Sequence, residues 1–504
     1  MTFKNKMKKF GNQMISQYAK NPYKPINEVK NTKVPLWLKI SLPTSVAAVA
    51  LVVTLVTINA LGPRQTIMEV YALNNPNKIY NTTKQPLDEK YVKSVNQFAS
   101  DYYNVMNNIY NHSLQYVNNI AFNGTAINFV FSPISILNNV YAMYDACSGV
   151  AKEQFGTIGY IDDNVFDHQK EVKKMIDNVS IDYMDEEEGE EFYSNVSNAL
   201  IVRDVYKNDI KESYIDLLTN NYYADLFISP STPGAAHKFA YDYIDNHTNN
   251  FLYQNSNNEQ VESNKKDALL LNDQSPIDTP SYDYVDDIRL INTYYIKSSW
   301  GVSFVDIVKP LPFTNYDNSV SDINYIGCEM VSDIYIGNGY KMVSIPLLQN
   351  YSFNVLLPDS NNSNEILTNG FDYLSRKASN NHYLANITIK IPTFDCFFDS
   401  NVFFDELLKL HNYPMPFFIA DGELNNITTS KDFSIDYTCF MNVTDIKIDA
   451  NGILGTTLTV NSHVIPATSE GTMPHITLDI NRPFMYSITN GDNLPTFVGK
   501  VNKL

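Results

Sequence analysis

The sequence predicts an α+β protein built from mixed β-sheets and preceded by one transmembrane helix. Helical patterns crowd the first half of the chain that follows this helix, and strand patterns crowd the second half. This is not the regular alternation of a parallel α/β fold, so mixed sheets are expected. The 504 residues are 44% apolar and 13% aromatic, which is enough for one large core or two ordinary ones.

The transmembrane helix is predicted from an uncharged run at 40–62, bracketed by Lys39 and Arg64. Its central part would span about 27 Å as a helix, close to the thickness of a hydrocarbon core. Segment 1–39 carries nine lysines and one acid, so the positive-inside rule places it in the cytoplasm and the rest of the chain outside. A cleaved signal peptide is disfavoured, because both the basic segment and the apolar run are too long.

The polar stretch 63–88, rich in Asn and Thr, predicts a stalk that leads to a folded domain at 89–504. The net charge of -18 argues against nucleic acid, heparin-like polyanions and anionic membrane surfaces as partners of that domain. The four cysteines form no Cys-x-x-Cys pair, so ordinary buried thiols are expected.

Helical patterns dominate the first part of the domain. An amphipathic helix is predicted over 87–119, with Val95, Phe98 and Tyr102 on one face. A strand over 128–131 ends at Ser132-Pro133, and Ser132 or Ser135 caps a helix that continues to Gly149. Further helices are predicted over 166–179, 213–226 and 238–251, a strand over 194–204, and loops over 185–191 and 253–287.

Strand patterns dominate the second part, where β-branched and aromatic residues are frequent. Strands are predicted over 288–300, 340–348, 351–358, 386–394, 434–449, 473–480, 484–488 and 496–501, with one helix over 402–411.

The usual catalytic motifs are absent from the sequence. It contains no Gly-x-Ser-x-Gly elbow, no His-Glu-x-x-His and no phosphate-binding glycine loop. Its eight histidines are scattered, and none pairs at the spacing of metal ligands. We therefore expect no enzyme activity, no cofactor and no metal site.

Eight segments, taken in order, resemble those of one family. They are 129-FVFSPISILNNVYAMYDACSG-149, 197-SNALIVRD-204, 222-YYADLF-227 with 242-DYIDNHTNNFL-252, 290-LINTYYIKSSWGVSF-304, 351-YSFNVLLPDS-360, 388-TIKIPTFD-395, 481-NRPFMYSI-488 and 497-FVGKVNKL-504. Across about residues 89–504 they are similar to the serpins, the serine protease inhibitors. The resemblance implies three mixed β-sheets, about eight or nine helices, an exposed reactive-centre loop and a monomeric chain.

The resemblance also implies a mechanism. In serpins a serine or cysteine protease cleaves the exposed loop, the loop inserts as a new central strand of the main sheet, and the acylated protease is trapped. On this basis the expected partner is a target protease.

The loop corresponds to about 450–474, where Gly452 matches the hinge glycine. The following run, 453–462, is uncharged and rich in Thr, Val, Ile and Leu, which favours a strand. Neither charge nor proline forbids a central strand position. In a strand, one face would carry Ile453, Gly455, Thr457, Thr459, Asn461 and His463. The alternative is that this run is a strand of the resting fold, and composition alone leaves both open.

The chain departs from inhibitory serpins at the hinge. Ala450 stands where an acidic residue is usual, and Ile453-Leu454-Gly455 replaces small alanines. Larger and β-branched side chains would insert more slowly past tight packing. Slow insertion makes a protease substrate rather than an inhibitor, so a non-inhibitory serpin-like surface protein is the alternative function.

The resemblance further implies a structural set around the main sheet. It consists of Ser132, Ser135, Asn292, Trp300 and Asn442, the last of which replaces a family histidine. An amide can still donate and accept hydrogen bonds there. Cys396 and Cys439 resemble positions on neighbouring strands; a disulfide between them is possible, but two free thiols are favoured.

The position of the scissile bond stays open. Its candidate residues are Ile465, Pro466, Ala467, Thr468, Glu470 and Gly471. Ala467-Thr468 suits an elastase-like protease, and Glu470-Gly471 suits a glutamate-specific one. No Arg or Lys lies between Ile453 and Asn481, so a trypsin-like target is excluded.

Overall fold

The structure is a computed structural model that describes most of the domain. It describes residues 50–54, 69–73, 82–111, 116–117, 120–121, 127–162, 165–185, 189–229, 231, 240, 243–244, 247–248, 288–360, 364–375, 382–420, 422–429, 441–453 and 473–504.

The helices within these ranges number eight. They are α1 (Glu89–Asn111), α2 (Pro133–Ala146), α3 (Gly149–Ile158), α4 (His168–Val179), α5 (Glu212–Tyr222), α6 (Asn364–Thr368), α7 (Gly370–Ser375) and α8 (Phe404–Leu410).

Strands make up most of the second half. They are β1 (Ala50–Thr54), β2 (Glu69–Leu73), β3 (Tyr116–Val117), β4 (Ile120–Ala121), β5 (Phe129–Phe131), β6 (Ile181–Asp185), β7 (Glu190–Arg203), β8 (Ala224–Ser229), β9 (Ile288–Ser298), β10 (Val305–Asp306), β11 (Leu311–Thr314), β12 (Val320–Ile323), β13 (Tyr325–Gly337), β14 (Tyr340–Pro346), β15 (Ser352–Pro358), β16 (His382–Pro392), β17 (Phe394–Asn401), β18 (Met441–Asp449), β19 (Gly452–Ile453), β20 (His475–Asp479), β21 (Phe484–Thr489) and β22 (Pro495–Val501).

Two nine-stranded sheets form the body of the protein. The main sheet has the order β1-β2-β8-β7-β9-β19-β18-β17, and β6 pairs with β7. The second sheet has the order β20-β16-β13-β14-β15-β21-β22-β5, and β10 pairs with β13. Only the last residues of β13, 334–337, pair with β14, whereas β16 pairs along nearly all of β13. The second sheet is therefore two sheets joined by one long strand, which agrees with the predicted α+β fold of three mixed sheets.

Helix α2 lies between the two sheets, against β9 on one side and β22 on the other. Ser132 caps it by accepting a hydrogen bond from the backbone N–H of Ser135, and Pro133 occupies its first position. Its side chains are buried on almost all sides, as is typical of a core helix. Helix α1 covers the same core with the face that carries Val95, Phe98 and Tyr102, as predicted.

The segment predicted to be a stalk is partly folded onto the domain. Residues 82–88, which we call the N-terminal strap, lie along α4 and hydrogen-bond to its side chains. Asn178, for example, donates its side-chain amide to the carbonyl of Gln85 at 2.9 Å. The stalk prediction for 63–88 is therefore wrong for 82–88, because polar groups of α4 bind the backbone of that stretch.

The predicted transmembrane segment is described only in part. Ala50–Thr54 is extended and pairs with Glu69–Leu73, which in turn pairs with β8 at the edge of the main sheet. For these five residues the helix prediction does not hold; they include two valines and a threonine, which favour strands. None of the described helices has both the length and the apolar character needed to cross a bilayer.

Other element boundaries shift in ways that local geometry explains. The predicted helix over 213–226 ends at Tyr222, because Tyr223 adopts a left-handed conformation (φ 51°) and the chain continues as strand β8. The helix predicted over 87–119 ends at Asn111. Of the helix predicted over 238–251, only residues 240, 243–244 and 247–248 are described.

Candidate functional site

The candidate site is the point where the predicted loop enters the main sheet. Gly452 and Ile453 form β19, which pairs antiparallel with β18 and with β9. Ile453 lies opposite Ile448 on one side and Ser298 on the other, and it is completely buried. Among the described residues, β9 and β18 do not pair directly with each other; β19 alone links them.

The backbone at Gly452 requires glycine. Its φ of 137° lies in a region that L side chains rarely adopt, and a Cβ atom there would lie 2.0 Å from the carbonyl oxygen of Ser298. Because the contact is with main-chain atoms, no side-chain rotation could relieve it. A residue with a side chain would therefore be strained at this position, which the sequence predicts to be a hinge.

The same end of the sheet is held by Trp300. Its indole N–H donates to the carbonyl oxygen of Asp449 at 2.8 Å, and its ring packs against Phe304 and Phe353. This bond connects the chain after β9 to the end of β18, across the position of β19. On the neighbouring strands, Lys297 of β9 and Glu191 of β7 form an ion pair with 2.6 Å between the ammonium nitrogen and a carboxylate oxygen.

A buried polar cluster lies lower in the main sheet, where it meets α2. Ser135 donates its hydroxyl to Asn292 on β9, and Asn292 donates to the side-chain oxygen of Asn198 on β7 at 2.7 Å. Asn138 on α2 donates to the same oxygen at 2.7 Å, and Asn198 donates to the carbonyl of Tyr222 at 2.6 Å. One asparagine of β7 thus joins the helix, two strands of the sheet and the end of α5.

The hydroxyl groups of buried tyrosines continue this polar layer. Tyr294 on β9 accepts a hydrogen bond from Ser194 on β7 at 3.0 Å and lies 3.4 Å from the hydroxyl of Tyr351. Burial raises the pKa of Tyr294, so it acts as a neutral hydrogen-bonding group. The layer binds strands together and offers no group prepared for acid–base catalysis.

Several solved structures have a similar fold. The thermophilic serpin tengpin in its native state is 16% identical, with a TM-score of 0.59, and the match covers 86% of this chain and 100% of that chain. Cleaved Serpin 42Da is 14% identical (TM-score 0.61; 82% and 99% covered), and thyroxine-binding globulin in complex with thyroxine is 14% identical (TM-score 0.60; 82% and 99%). A search of curated proteins finds no match.

Residues 275–504 match the family model "Serpin (serine protease inhibitor)". This part of the chain, a little under half of its length, is similar to the serpins, and the likeness to the solved structures shows that the chain has the serpin fold. Serpins are protease inhibitors rather than enzymes, and the chain is accordingly not an enzyme. The partners of the family are target proteases.

Within this serpin fold, the structure brings together most of the predicted structural set. Ser132, Ser135 and Asn292 meet at α2 and β9, and Trp300 lies at the upper end of the sheet. Asn442 lies on β18 opposite Ser400, and its side chain is outside the described part. Asn138 and Asn198 were not singled out from the sequence, because each stands beside another polar residue, Asn139 and Ser197, and no local pattern marks it as buried.

The predicted reactive-centre loop, 450–474, is described only at its two ends. The first described part ends at Ile453 in the main sheet, and the second begins at Met473, just before β20, which pairs parallel with β16 in the second sheet. The two ends therefore belong to different sheets. Outside the described residues lie Leu454, Gly455, Thr457, Thr459, Ile465, Pro466, Ala467, Thr468, Glu470 and Gly471.

Cys396 on β17 is a free, buried thiol that lies opposite Ile446, and Cys439 is outside the described residues. In the described part of the chain, no group of three or more His, Cys, Asp or Glu side chains could hold a metal ion.

Proposed function

We propose that this chain inhibits serine or cysteine endopeptidases by cleavage of the 450–474 loop and insertion of its first part between β9 and β18. The observation that carries the proposal is the position of Gly452 and Ile453. They already occupy the row between these two strands, and only they link the strands in the described residues. A strand that continues from Ile453 would have hydrogen-bonding partners on both sides.

The register at the hinge predicts where each loop residue would lie. Paired residue numbers in an antiparallel ladder have a constant sum, and Ile453 lies opposite Ser298 and Ile448. Thr457 would then lie opposite Tyr294, and Thr459 would lie between Asn292 and Asn442. The hydroxyl of Thr459 would enter the polar cluster on the buried face of the sheet.

The loop composition supports a non-tryptic target. No Arg or Lys occurs between Ile453 and Asn481, whereas small and acidic residues occur around 467–471. We therefore propose an elastase-like or glutamate-specific protease as the partner.

The test is to incubate the purified full chain with elastase and with a glutamate-specific protease. We expect an adduct that survives SDS, formed by the acylated protease, and cleaved protein that melts tens of degrees higher than intact protein. Thr459→Arg should abolish the adduct while leaving cleavage intact, because a charge cannot enter the buried face of the sheet. Thr472→Arg, beyond the candidate bonds, is the control. Cleavage by several proteases without any adduct would contradict inhibition.

A non-inhibitory serpin-like surface protein is the second candidate. The bulky Ile453-Leu454 pair favours it, because these side chains slow insertion. Thyroxine-binding globulin shows that the same fold occurs in a protein bound to a small molecule. In that case nicking the loop should lower the melting temperature rather than raise it.

We further propose that the run 40–62 anchors the chain in a membrane, with 1–39 in the cytoplasm and the serpin domain outside. The support is the uncharged run itself and the lysines that precede it. Extraction of cell membranes with alkaline carbonate should leave the chain in the pellet, and external protease should remove the domain from intact cells. Release by carbonate would instead indicate that Ala50–Thr54 stays paired with β2 and does not enter the membrane.

A further inference from the structure

The chain carries several Asn-x-Ser/Thr sequons, the pattern that accepts an N-linked oligosaccharide in an exported protein. An oligosaccharide is bulky and hydrated, so in the folded protein it needs an asparagine side chain that faces solvent. The structure sorts the sequons by this criterion. Those whose asparagine side chain lies in the described part of the chain are at Asn178, Asn195, Asn350, Asn386 and Asn426.

Three of these, which we call the enclosed asparagines, have no room for a sugar. Asn178 and Asn195 are 2% and 5% exposed. The amide nitrogen of Asn178 donates to the carbonyl of Gln85 in the strap at 2.9 Å, and that of Asn195 donates to a serine hydroxyl at 2.8 Å. Asn426 donates to two backbone carbonyls at the end of α2, at 3.0 and 3.1 Å. A sugar on any of these nitrogens would displace the chain packed around it.

Asn386 on β16 has the opposite surroundings. Its side chain is exposed and makes no hydrogen bond to the described residues. Across the strands its neighbours are Val331 on β13, which is 47% exposed, and His475 on β20, which is also exposed. Because side chains alternate along a strand, Asn386 and Thr388 share this outer face, while Ile387 between them is buried. A sugar on Asn386 would therefore extend into solvent and leave the core beneath the sheet untouched.

Asn386 also lies beside the end of the predicted loop. Its backbone N–H donates to the carbonyl of Pro474 at 3.0 Å, and Pro474 is the last residue of that loop. A sugar on Asn386 would thus stand where the loop joins the second sheet.

Asn350 is a second exposed asparagine within a sequon. It lies in the turn between β14 and β15 with a φ of 63°, a conformation that asparagine tolerates better than most residues. Tyr351, the middle residue of the sequon, is 1% exposed, and Ser352 begins β15. The turn is therefore anchored by its tyrosine, while its asparagine faces solvent.

We propose that Asn386 and Asn350 carry N-linked oligosaccharides in the exported chain. The donor is a lipid-linked oligosaccharide diphosphate. The bond between C1 of its first sugar and the diphosphate breaks, a bond from that C1 to the asparagine Nδ2 forms, Nδ2 loses one proton, and the lipid diphosphate leaves. The sugar is attached before the chain folds, so only molecules whose sugars lie outside reach this fold. The inference rests on the proposed membrane orientation, which places the domain outside.

The experiment uses the full chain isolated from membranes of eukaryotic cells. Peptide N-glycosidase in heavy-oxygen water converts each asparagine that carried a sugar into a labelled aspartate, which peptide mass spectrometry locates. Thr388→Ala removes the sequon of Asn386 without changing the asparagine, and Thr388→Ser keeps the sequon and is the matched control. Ser352→Ala and Ser352→Thr form the same pair for Asn350.

We expect label at Asn386 and Asn350 and none at the enclosed asparagines. Each alanine variant should lose one oligosaccharide, seen as faster migration in SDS gels, whereas Thr388→Ser and Ser352→Thr should migrate like the unmodified chain. Label at an enclosed asparagine would overturn the inference, and so would its absence from Asn386 or Asn350 in a domain that external protease removes from intact cells. An unlabelled domain that resists external protease would instead refute the membrane orientation, and the inference would fall with it.

Discussion

The two nine-stranded sheets differ in how their strands are joined. From β14 to β5 the second sheet is a continuous ladder, and one of its faces is apolar and fully buried at Phe353, Val355 and Ile488. Within the described ranges, the main sheet is joined at its centre by Gly452 and Ile453 alone, and its buried face carries Asn198 and Asn292. A continuous ladder with an apolar face fixes one arrangement, whereas a polar centre that few hydrogen bonds link can exchange one set of partners for another. The second sheet therefore secures the fold, and the main sheet is the part that can change.

The largest effect is expected where the second sheet is disrupted. Leu356→Ala empties a fully buried site on β15. We expect the free energy of unfolding to fall by about 3 to 5 kcal/mol in urea titrations, through lost burial and the cavity that remains. Leu410→Ala, at a leucine that is 48% exposed, should cost less than about 1 kcal/mol. Equal losses at the two sites would contradict the role given to the second sheet.

A smaller loss is expected from the polar cluster of the main sheet. Asn198→Ala removes the shared acceptor of Asn138 and Asn292 and the donor to Tyr222. Because buried polar groups are then left unpaired, we expect a loss of about 2 to 3 kcal/mol. Hydrogen exchange should quicken in β9 while β15 keeps its protection. Asn386→Ala, at an exposed asparagine of β16, is the matched control.

Lys500 offers a test by pH within the second sheet. Its side chain is completely buried on β22 and donates to Asn107 at 2.7 Å, and burial lowers its pKa to about 7. Since an unfolded lysine keeps its proton up to about pH 10.4, the unfolded chain binds more protons between these values. The free energy of unfolding should therefore rise with pH above 7, with a slope that approaches about 1.4 kcal/mol per pH unit.

Lys500→Met should flatten the rise of the free energy of unfolding with pH, because position 500 then takes up no proton on unfolding. Lys503→Met, three residues later at a half-exposed lysine, should leave it unchanged. Unfolding of all three proteins would be followed from pH 7 to pH 10. An unchanged dependence of the free energy of unfolding on pH in Lys500→Met would show that Lys500 is not its source.

The smallest effect is expected at the hinge end of the main sheet. Trp300→Phe keeps an aromatic ring but deletes the bond from the indole N–H to Asp449. We expect a loss of about 1 kcal/mol. The backbone amide of Ile453 should exchange faster in this variant, while amides of β21 should not. An unchanged amide at Ile453 would show that Trp300 does not secure the hinge.

Much of this fold follows from local sequence patterns, and the exceptions have physical reasons. Helix α2 and strands β15 and β21 follow from capping and apolar periodicity, which tertiary contacts reinforce. Strand β13 was not predicted, because Glu329 and Asp333 interrupt its apolar residues. The strand is recognised from the buried residues Ile326, Met330 and Ile334, which lie on one of its faces. Charged residues on an exposed face obscure such a pattern.

The candidate site was predictable in part for a similar reason. Gly452 and Ser135 lie in segments that resemble the serpins, so both could be singled out from the sequence; the structure places Gly452 in β19 and Ser135 in the polar cluster. The function of Asn198 depends on partners that lie 60 and 94 residues away along the chain, and no local pattern encodes them. The docking of 82–88 was missed because polar, proline-containing stretches are typical of linkers, while its binding partners belong to α4.

Each of the two sheets carries its own unreactive thiol. Burial raises the pKa of Cys396 in the main sheet and, to about 12, that of Cys328 in the second sheet. A thiol alkylates as the thiolate, so both groups are chemically silent while their strands stay closed. Brief pulses of a maleimide reagent, with the label located by peptide mass spectrometry on Cys396 and Cys328 apart from Cys147 and Cys439, would therefore time the opening of each sheet independently in the native chain.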